Sequence, residues 1–142
     1  MYRLNVENVL AGYASAGGYR AVIATEEEIA FSVDKLPLAW IYPAKVIKLE
    51  GRHAGRMVLN ITMQVVETAY QLSSEAKSDL RQRIDDDVVG MLQAACDRGE
   101  FIEVDSLLIS EGTQLSNVDN AVVRSVNCDI IIPFNIEDHK SC

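Results

Sequence analysis

The fold of this chain is decided by residues 56–70, which read RMVLNITMQVVETAY. Apolar and polar side chains alternate along this stretch, so every second residue lies on the same face of an extended strand. One face carries large apolar side chains, namely Met57, Leu59, Ile61, Met63 and Val65. The other face carries polar side chains flanked by two valines, namely Val58, Asn60, Thr62, Gln64 and Val66. This pattern predicts a long antiparallel strand with one buried face and one polar face.

The residues just before this strand supply a partner for it. Residues 46–50 form a second arm, and residues 51–55 read GRHAG between the two arms. Gly51 and Gly55 can adopt the positive φ angles that a tight connection often needs. The two arms are therefore predicted to form one long β-hairpin.

The N-terminal segment is predicted to begin with a helix. Apolar residues recur at near-helical spacing over residues 4–13, and Gly17 and Gly18 end the pattern. Residues 19–24 then form a short apolar run. We interpret this run as a strand.

Between that strand and the hairpin, a short helix and another strand are predicted. Thr25 followed by Glu28 is the pattern of a capping box, which marks a helix start, and Pro37 limits the length of this helix. Residues 38–42 read LAWIY and predict a strand that Pro43 closes.

One long helix is predicted over residues 75–98. Ser73 or Ser74 caps its start, and Gly99 provides a C-terminal stop. An apolar stripe at helical period is formed by Leu80, Ile84, Val88, Met91, Leu92 and Ala95. The opposite side of the helix carries Asp79, Asp86, Gln93 and Asp97. The helix is therefore expected to bury its stripe against the sheet.

Two strands are predicted after this helix. The first covers residues 101–109, with Ile102, Val104 and Leu108 on one side, and a polar loop follows it. The second covers residues 121–132, and we expect Pro133 to end it. One face of this second strand carries Val122, Val126, Cys128, Ile130 and Ile132. A strand this long and apolar has to be covered or paired.

The element order predicts the fold class. Runs of strands with segregated helices are typical of α+β proteins. We therefore predict a mixed, mostly antiparallel sheet with a long hairpin, packed by one long helix and a short N-terminal helix. A chain of 142 residues has the size of one domain. Residues 1–135 are predicted to form that domain, and residues 136–142 to form a flexible tail.

Charge and cysteine content exclude several classes of protein. The chain has 21 acidic and 13 basic residues, and a formal net charge of −8. Nucleic acids and anionic membranes both require a basic surface, so neither is predicted as a partner. No apolar run is long enough for a membrane span, and no signal-peptide pattern begins the chain. The chain has an odd number of cysteines, and they are widely spaced: Cys96, Cys128 and Cys142. This pattern is typical of reduced thiols inside a cell.

Candidates for catalytic or metal chemistry are few. The sequence contains no Walker loop and no GxGxxG, HExxH or GxSxG motif. Asp85, Asp86 and Asp87 occupy consecutive helical positions about 100° apart, so they do not converge on one ion. We interpret them as part of a solvated acidic face.

The remaining candidates have structural interpretations. His53 lies in the hairpin connection without a partner nearby in sequence, and His139 with Cys142 offers only two metal ligands. Cys96 and Cys128 are interpreted as small buried hydrophobic residues. Two aromatic residues that could form a ligand platform, Trp40 and Tyr70, are interpreted as core or interface residues. No catalytic residue, metal or cofactor is predicted, and the chain is not expected to be an enzyme.

The distribution of charge suggests a contact between copies of the chain. Residues 43–56 carry Lys45, Lys48, Arg52 and Arg56 but a single acid, Glu50. The long helix and the strand after it form an acidic body, with Asp79, Asp86 and Asp97 on the outer side of the helix. Its acidic residues are Glu75, Asp79, Asp85, Asp86, Asp87, Asp97, Glu100, Glu103 and Asp105, and its basic residues are Lys77, Arg81, Arg83 and Arg98. Head-to-tail contact between the basic hairpin of one copy and the acidic body of the next could close copies into a ring. The alternative is a monomer on which these charges have no role, since surface charge pairs contribute little.

The order of elements resembles that of the tail-terminator or tail-completion proteins of long-tailed bacteriophages. The resemblance covers residues 3–134 and includes the segment LPLAWIYP at residues 36–43. Those proteins are small α+β subunits that form hexameric rings, which cap the tail tube and join it to the head. The resemblance implies partners in the tail tube and the head connector. It also implies location in the cytoplasm during assembly and then in the virion tail. It supplies no functional residue, because the family has no catalytic signature to match.

Two other functions remain open at this point. The chain could be a non-catalytic module that binds a small ligand or a protein, including a dimer paired through the edge of its last strand. It could also be an enzyme of unrecognised type. In that case His53 or the acidic run at residues 85–87 would lie in a cleft beside Trp40 or Tyr70.

Overall fold

A computed structural model describes residues 2–28, 36–51, 54–112 and 120–135. The elements in chain order are β1 (Tyr2–Arg3), α1 (Val6–Ala16), β2 (Arg20–Ile23), β3 (Leu38–Ile41), β4 (Lys45–Gly51), β5 (Ala54–Thr68), α2 (Ser74–Asp97), β6 (Glu103–Glu111) and β7 (Ala121–Asn135). The seven strands of the described residues form one mixed sheet, and among them only β2 and β3 run parallel. The predicted α+β class is confirmed, with a long helix and a short N-terminal helix.

Strands β5 and β7 lie at the centre of the sheet. They pair antiparallel along their whole length, from Ala54 opposite Asn135 to Thr68 opposite Ala121. The other side of β5 pairs with β3 and β4, and the other side of β7 pairs with β1 and β6. The predicted hairpin is confirmed as the antiparallel pair β4 and β5.

Both helices cover the same side of the sheet, which we call the helix side. The apolar face predicted for β5 is buried there, as is the stripe predicted for α2. Helix α1 adds Val6, Leu10 and Ala14 to this core. Ser73 caps α2 by accepting a hydrogen bond from the Ala76 amide at 3.1 Å. We call the opposite side, which carries Asn60, Thr62 and Gln64, the polar face.

The prediction that Pro133 ends the last strand is wrong. Strand β7 continues through Pro133 to Asn135, and Phe134 is buried in the core. Pro133 lies opposite Arg56 of β5. On its other side, the pairing with β6 has ended at Ile131 and the pairing with β1 begins only at Phe134. A proline has no amide hydrogen to donate to a neighbouring strand. Pro133 is tolerated inside β7 because no strand of the described residues pairs with it on the side opposite β5.

The prediction that Ile102, Val104 and Leu108 lie on one side of this strand is also wrong. A β-bulge in β6 interrupts the alternation of its side chains between the two faces of the sheet. The register shifts between Asp105 and Leu108, where Ser106 has a φ of 54°. Val104 lies opposite Ile130 on the helix side, whereas Leu108 lies opposite Asn127 on the polar face. An extra residue in one strand reverses the side on which the following side chains lie.

A dimer formed through the edge of β7 is excluded by the sheet order. The sequence analysis predicted that this strand must be covered or paired, and β5 and β6 pair with it on its two sides.

The capping-box bond is present, since Glu28 accepts from the Thr25 amide at 2.9 Å. The described residues 26–28 form a turn, and the rest of the predicted short helix lies outside the described residues. The predicted C-terminal tail, residues 136–142, lies outside them as well.

Candidate functional site

The centre of the polar face is a network of hydrogen-bonded side chains. The Asn60 amide nitrogen donates to Asn127 at 3.2 Å and to Asp129 at 3.1 Å. Asn127 in turn donates to the Thr62 hydroxyl at 3.0 Å. Since each of these contacts joins β5 to β7, the network holds the two central strands in register and fixes the polar surface that they present.

A cleft of about 830 Å³ lies on the polar face beside this network. Its lining includes Glu26, Tyr42, Lys45, Thr62 and Gln64. The Tyr42 ring stacks on Trp40 with 4.4 Å between ring centroids. Trp40 is buried and donates from its indole nitrogen to the Ala24 carbonyl at 2.8 Å, which confirms its interpretation as a core residue.

Strand β4 forms one outer edge of the sheet and is exposed along all seven residues. Its apolar side chains are about half exposed, with values of 49% for Val46, 54% for Ile47 and 52% for Leu49. Within the described residues, β4 has β5 as its single neighbour. An edge strand of this length with apolar side chains is a template for pairing with another chain.

Lysine and glutamate side chains lie along the same edge. The Lys48 ammonium contacts the Glu50 carboxylate at 2.8 Å. The hydrogen bond and charge of Lys48 hold the pKa of Glu50 below its usual value, and Glu50 correspondingly raises the pKa of Lys48. Both groups are exposed, so this pair is available to solvent and to a partner.

Strand β6 forms the opposite outer edge of the sheet and borders a groove. The groove has a volume of about 450 Å³ and lies between α2 and β6. Its apolar lining includes Val89, Ile102 and Leu107, which are partly exposed. In the part of the chain that the structure describes, β6 pairs with β7 alone. The strand carries Glu103, Asp105 and Glu111 and no basic residue.

The residues of the predicted subunit contact lie on opposite layers of the molecule. The register places Lys45, Lys48 and Arg56 on the polar face, because they lie opposite Asn60, Val58 and Glu50. The acidic set Asp79, Asp86 and Asp97 is exposed on α2, which covers the helix side. Arg52 lies outside the described residues. The predicted contact between this hairpin and the helix of another copy stays a prediction.

Two members of the acidic run at residues 85–87 have partners within the chain. Asp85 accepts two hydrogen bonds from the Arg124 guanidinium, at 2.9 and 3.0 Å. Asp87 accepts one from the Tyr19 hydroxyl at 2.8 Å, whereas Asp86 is exposed. Among the described residues, no group of three potential ligands could hold a metal ion. The run therefore joins α2 to β7 and Tyr19, an arrangement that sequence reasoning missed.

The prediction of a buried thiol is confirmed for Cys128 but is wrong for Cys96, which is only partly buried. Burial raises the pKa of Cys128 to about 12. Burial also raises the pKa of Cys96, and the nearby carboxylates of Asp97 and Glu103 add to that effect. Since the thiolate is the nucleophile, neither environment favours nucleophilic chemistry. His53, His139 and Cys142 lie outside the described residues.

Tyr70, the second aromatic candidate, follows the end of β5 and is 65% exposed. It is therefore not a core residue. Leu72, two residues further along the chain, is exposed as well.

Comparisons with known proteins identify no family for this chain. No model of a protein family matches it, and no curated protein is similar to it in sequence. Neither helix of the described residues is long and apolar enough to cross a membrane.

Proposed function

We propose that this protein is a structural subunit that assembles with its own copies into a ring. The ring would be of the tail-terminator kind, which ends the tail tube of a long-tailed bacteriophage and joins it to the head. Its partners are then the tail tube and the head connector. Its place is the cytoplasm during assembly and the virion tail afterwards.

The observation that carries this proposal is the exposed edge of β4. Three apolar side chains on that strand are about half exposed, and β4 has one neighbouring strand in the described part of the chain. Natural proteins usually protect such an edge, because it otherwise promotes association. A constitutive contact between copies would bury this edge in the assembled protein.

The mechanism of such a subunit is mechanical. A ring that stacks on the last ring of the tail tube occupies the surface on which the next tube ring would add. The opposite surface of the terminator ring is then free to bind the head connector. The network of Asn60, Asn127 and Asp129 supports this role, because it fixes the sheet from which each subunit is built.

Light scattering of the full chain, over a series of protein and salt concentrations, tests the proposal. We expect a hexamer-sized species whose dissociation at low protein concentration is promoted by salt. Negative-stain electron microscopy of the same sample should show closed rings. A monomer at every concentration would contradict a ring that forms from this chain alone.

A substitution in β4 provides a sharper test. Leu49→Lys should shift the protein to monomer, because it places a charge in the proposed contact while leaving the core intact. Tyr70→Lys is the matched control, since Tyr70 is at least as exposed but lies outside β4 and β6. Circular dichroism should show both variants folded. An oligomer unchanged by Leu49→Lys would contradict the proposed role of β4.

The cleft on the polar face favours a second candidate, a module that binds a small ligand. Its volume of about 830 Å³ falls in the range of ligand pockets. Tyr42, Thr62 and Gln64 would provide polar contacts. A thermal-shift screen against a set of polar metabolites tests this candidate, with Thr62→Val as the variant that should abolish any stabilisation found.

A further inference from the structure

We propose that the outer edge of β6 binds an extended segment of a different protein, in which one apolar residue lies between two basic residues. The segment adds one antiparallel strand to the sheet beside β6. The contact is independent of the proposed ring, whose own contact involves β4. Three features of β6 support it: the direction of its backbone groups, an apolar groove on one face, and carboxylates without basic neighbours on the other face.

The backbone of β6 has hydrogen-bonding groups that point away from β7. The Val123 carbonyl accepts a hydrogen bond from the Gly112 amide at 2.9 Å, so Val123 directs its backbone groups towards the side of β6. Alternate residues of a strand direct these groups to opposite edges, and Ile130, an odd number of positions further along β7, therefore faces β5. Val104 lies opposite Ile130 and so directs its own amide and carbonyl outward. These two groups can pair with an added strand.

The helix side of this edge is apolar. The Val104 side chain lies opposite Ile130 on the helix side, next to the groove of about 450 Å³ between α2 and β6. Val89, Ile102 and Leu107 line this groove and are partly exposed. A residue that pairs with Val104 directs its side chain to the same side of the sheet. An apolar side chain at that position would bury itself against the groove.

The polar face of the same edge is acidic. Glu103 and Asp105 flank Val104 in sequence, and Asp105 lies opposite Asp129 on β7. Glu103 and Asp105 are exposed, and no ion pair within the described residues neutralises them. The one basic side chain of β6 and β7 is that of Arg124, which forms its ion pair on the helix side.

These positions define the pattern of the bound segment. Its central residue pairs with Val104 and directs its side chain to the groove, so that residue is apolar. The residues before and after it direct their side chains to the polar face, opposite Glu103 and Asp105, so they are lysine or arginine. The bulge at Ser106 follows directly after Asp105 and interrupts the edge. The contact is therefore short.

A second copy of this chain does not supply such a segment. Among the described strands, only β4 carries two basic residues, Lys45 and Lys48. A β6 laid along β4 with its Asp105 at Lys45 would place its residues 109–111 where residues 21–23 of β2 already lie. Pairing β6 with β6 brings together two strands that each carry three acidic residues and no basic one. The partner is therefore a different protein.

A photoreactive peptide tests where such a segment binds. The probe is a capped peptide in which benzoylphenylalanine, an apolar photoreactive residue, lies between two lysines and is flanked by neutral residues. Illumination with the full chain, followed by digestion and mass spectrometry, identifies the residues to which the peptide attaches. We expect adducts in the groove, on Val89, Ile102 or Leu107. Adducts spread over the outer side of α2, or no adducts, would overturn the proposal.

Two N-methylated versions of the peptide test whether its backbone pairs with β6. A methyl group on the central amide removes the donor that pairs with the Val104 carbonyl, so we expect it to abolish the adducts. A methyl group on the amide of a flanking lysine is the matched control, because that amide points away from β6. Equal adduct yields from the two versions would show that the peptide binds without strand pairing.

Charge reversal tests the acidic positions. Glu103→Lys with Asp105→Lys should lower the adduct yield by about tenfold or more at a peptide concentration below saturation, because like charges then face each other. A peptide with glutamates in place of its two lysines should bind this variant and not the unchanged chain. Circular dichroism should show the variant folded. An unchanged yield from the lysine peptide would contradict the role of Glu103 and Asp105.

The acidic residues of α2 provide the matched control. Asp79→Lys with Asp86→Lys reverses the same number of charges on the outer side of α2. We expect this variant to form adducts as the unchanged chain does. An equal loss in this variant would show a general attraction between a basic peptide and an acidic protein, and would overturn the specific contact. A chain that forms the ring but gives no adducts would overturn this contact and leave the proposed function intact.

Discussion

The central strands and the outer strands of this sheet differ in what covers them. Strands β5 and β7 have a neighbour on each edge and a helix layer over one face, and their apolar residues on that side are buried. Strands β4 and β6 have one neighbouring strand each in the described residues, and their side chains are mostly exposed. Burial in the centre accounts for the stability of the folded chain, whereas the edges expose the surface on which the proposed contact between copies depends.

The largest expected difference between the two regions is in the stability of the monomer. Leu59→Ala in β5 should lower the free energy of unfolding by about 2–5 kcal/mol, because it leaves a cavity in the core. Leu49→Ala in β4 should change it by less than about 0.5 kcal/mol, since that side chain is already half exposed. Urea denaturation at a protein concentration that keeps the chain monomeric measures both values. Equal losses would show that β4 belongs to the stable core.

Ion pairs allow the same comparison at a smaller scale. Arg124→Gln, next to the centre of the sheet, should cost about 1–2 kcal/mol, because it breaks a bidentate pair whose side chains are 13% and 31% exposed. Lys48→Gln at the edge should leave monomer stability unchanged, since the side chains of its pair are 63% and 47% exposed. A double-mutant cycle with Asp85→Asn isolates the coupling of Arg124. A coupling free energy near zero would contradict a structural role for Asp85.

The smallest expected effect concerns the pH dependence of the centre. The pKa of Cys128 is raised to about 12 in the folded chain from an ordinary value of 9.0. The unfolded chain therefore loses this proton first, and stability falls as the pH rises above 9. Between pH 9 and 10 the loss due to Cys128 is at most about 1.4 kcal/mol. Cys128→Ala should remove that slope in urea denaturation, and an unchanged slope would assign it to another group.

Local periodicity explains why much of this fold was predictable. The alternation in β5 and the helical stripe of α2 are repeated over many residues, and in both elements the predicted side chains are buried. A single residue with unusual geometry gives no such signal. Ser106 adopts a positive φ although it is not a glycine, and the bulge beside it reverses the side on which Leu108 lies.

Sheet order and the candidate contact surface could not be predicted, because they depend on pairing between distant residues. Asp85 and Arg124 are brought together from two elements whose contact no local pattern encodes. Lys45 and Asp105 lie at the two ends of one row across the sheet, and recognising this row requires three strand registers to be known together. The sequence indicated a basic hairpin and an acidic body. The pairing registers of the strands were needed to show which of those charged residues lie along one row across the sheet.

The pairing of β5 with β7 also has a consequence for how the chain folds during synthesis. Every residue of β7 follows every residue of the other six strands, yet β7 lies between β5 and β6. Until β7 leaves the ribosome, one edge of β5 has no partner and β6 has nothing to pair with. Tyr2 and Asn135, which face each other in the finished sheet, are the most distant residues that pair among the described residues. We therefore expect the nascent chain to gain its sheet late, as a single event, after a period in which a molecular chaperone could bind the open edge of β5.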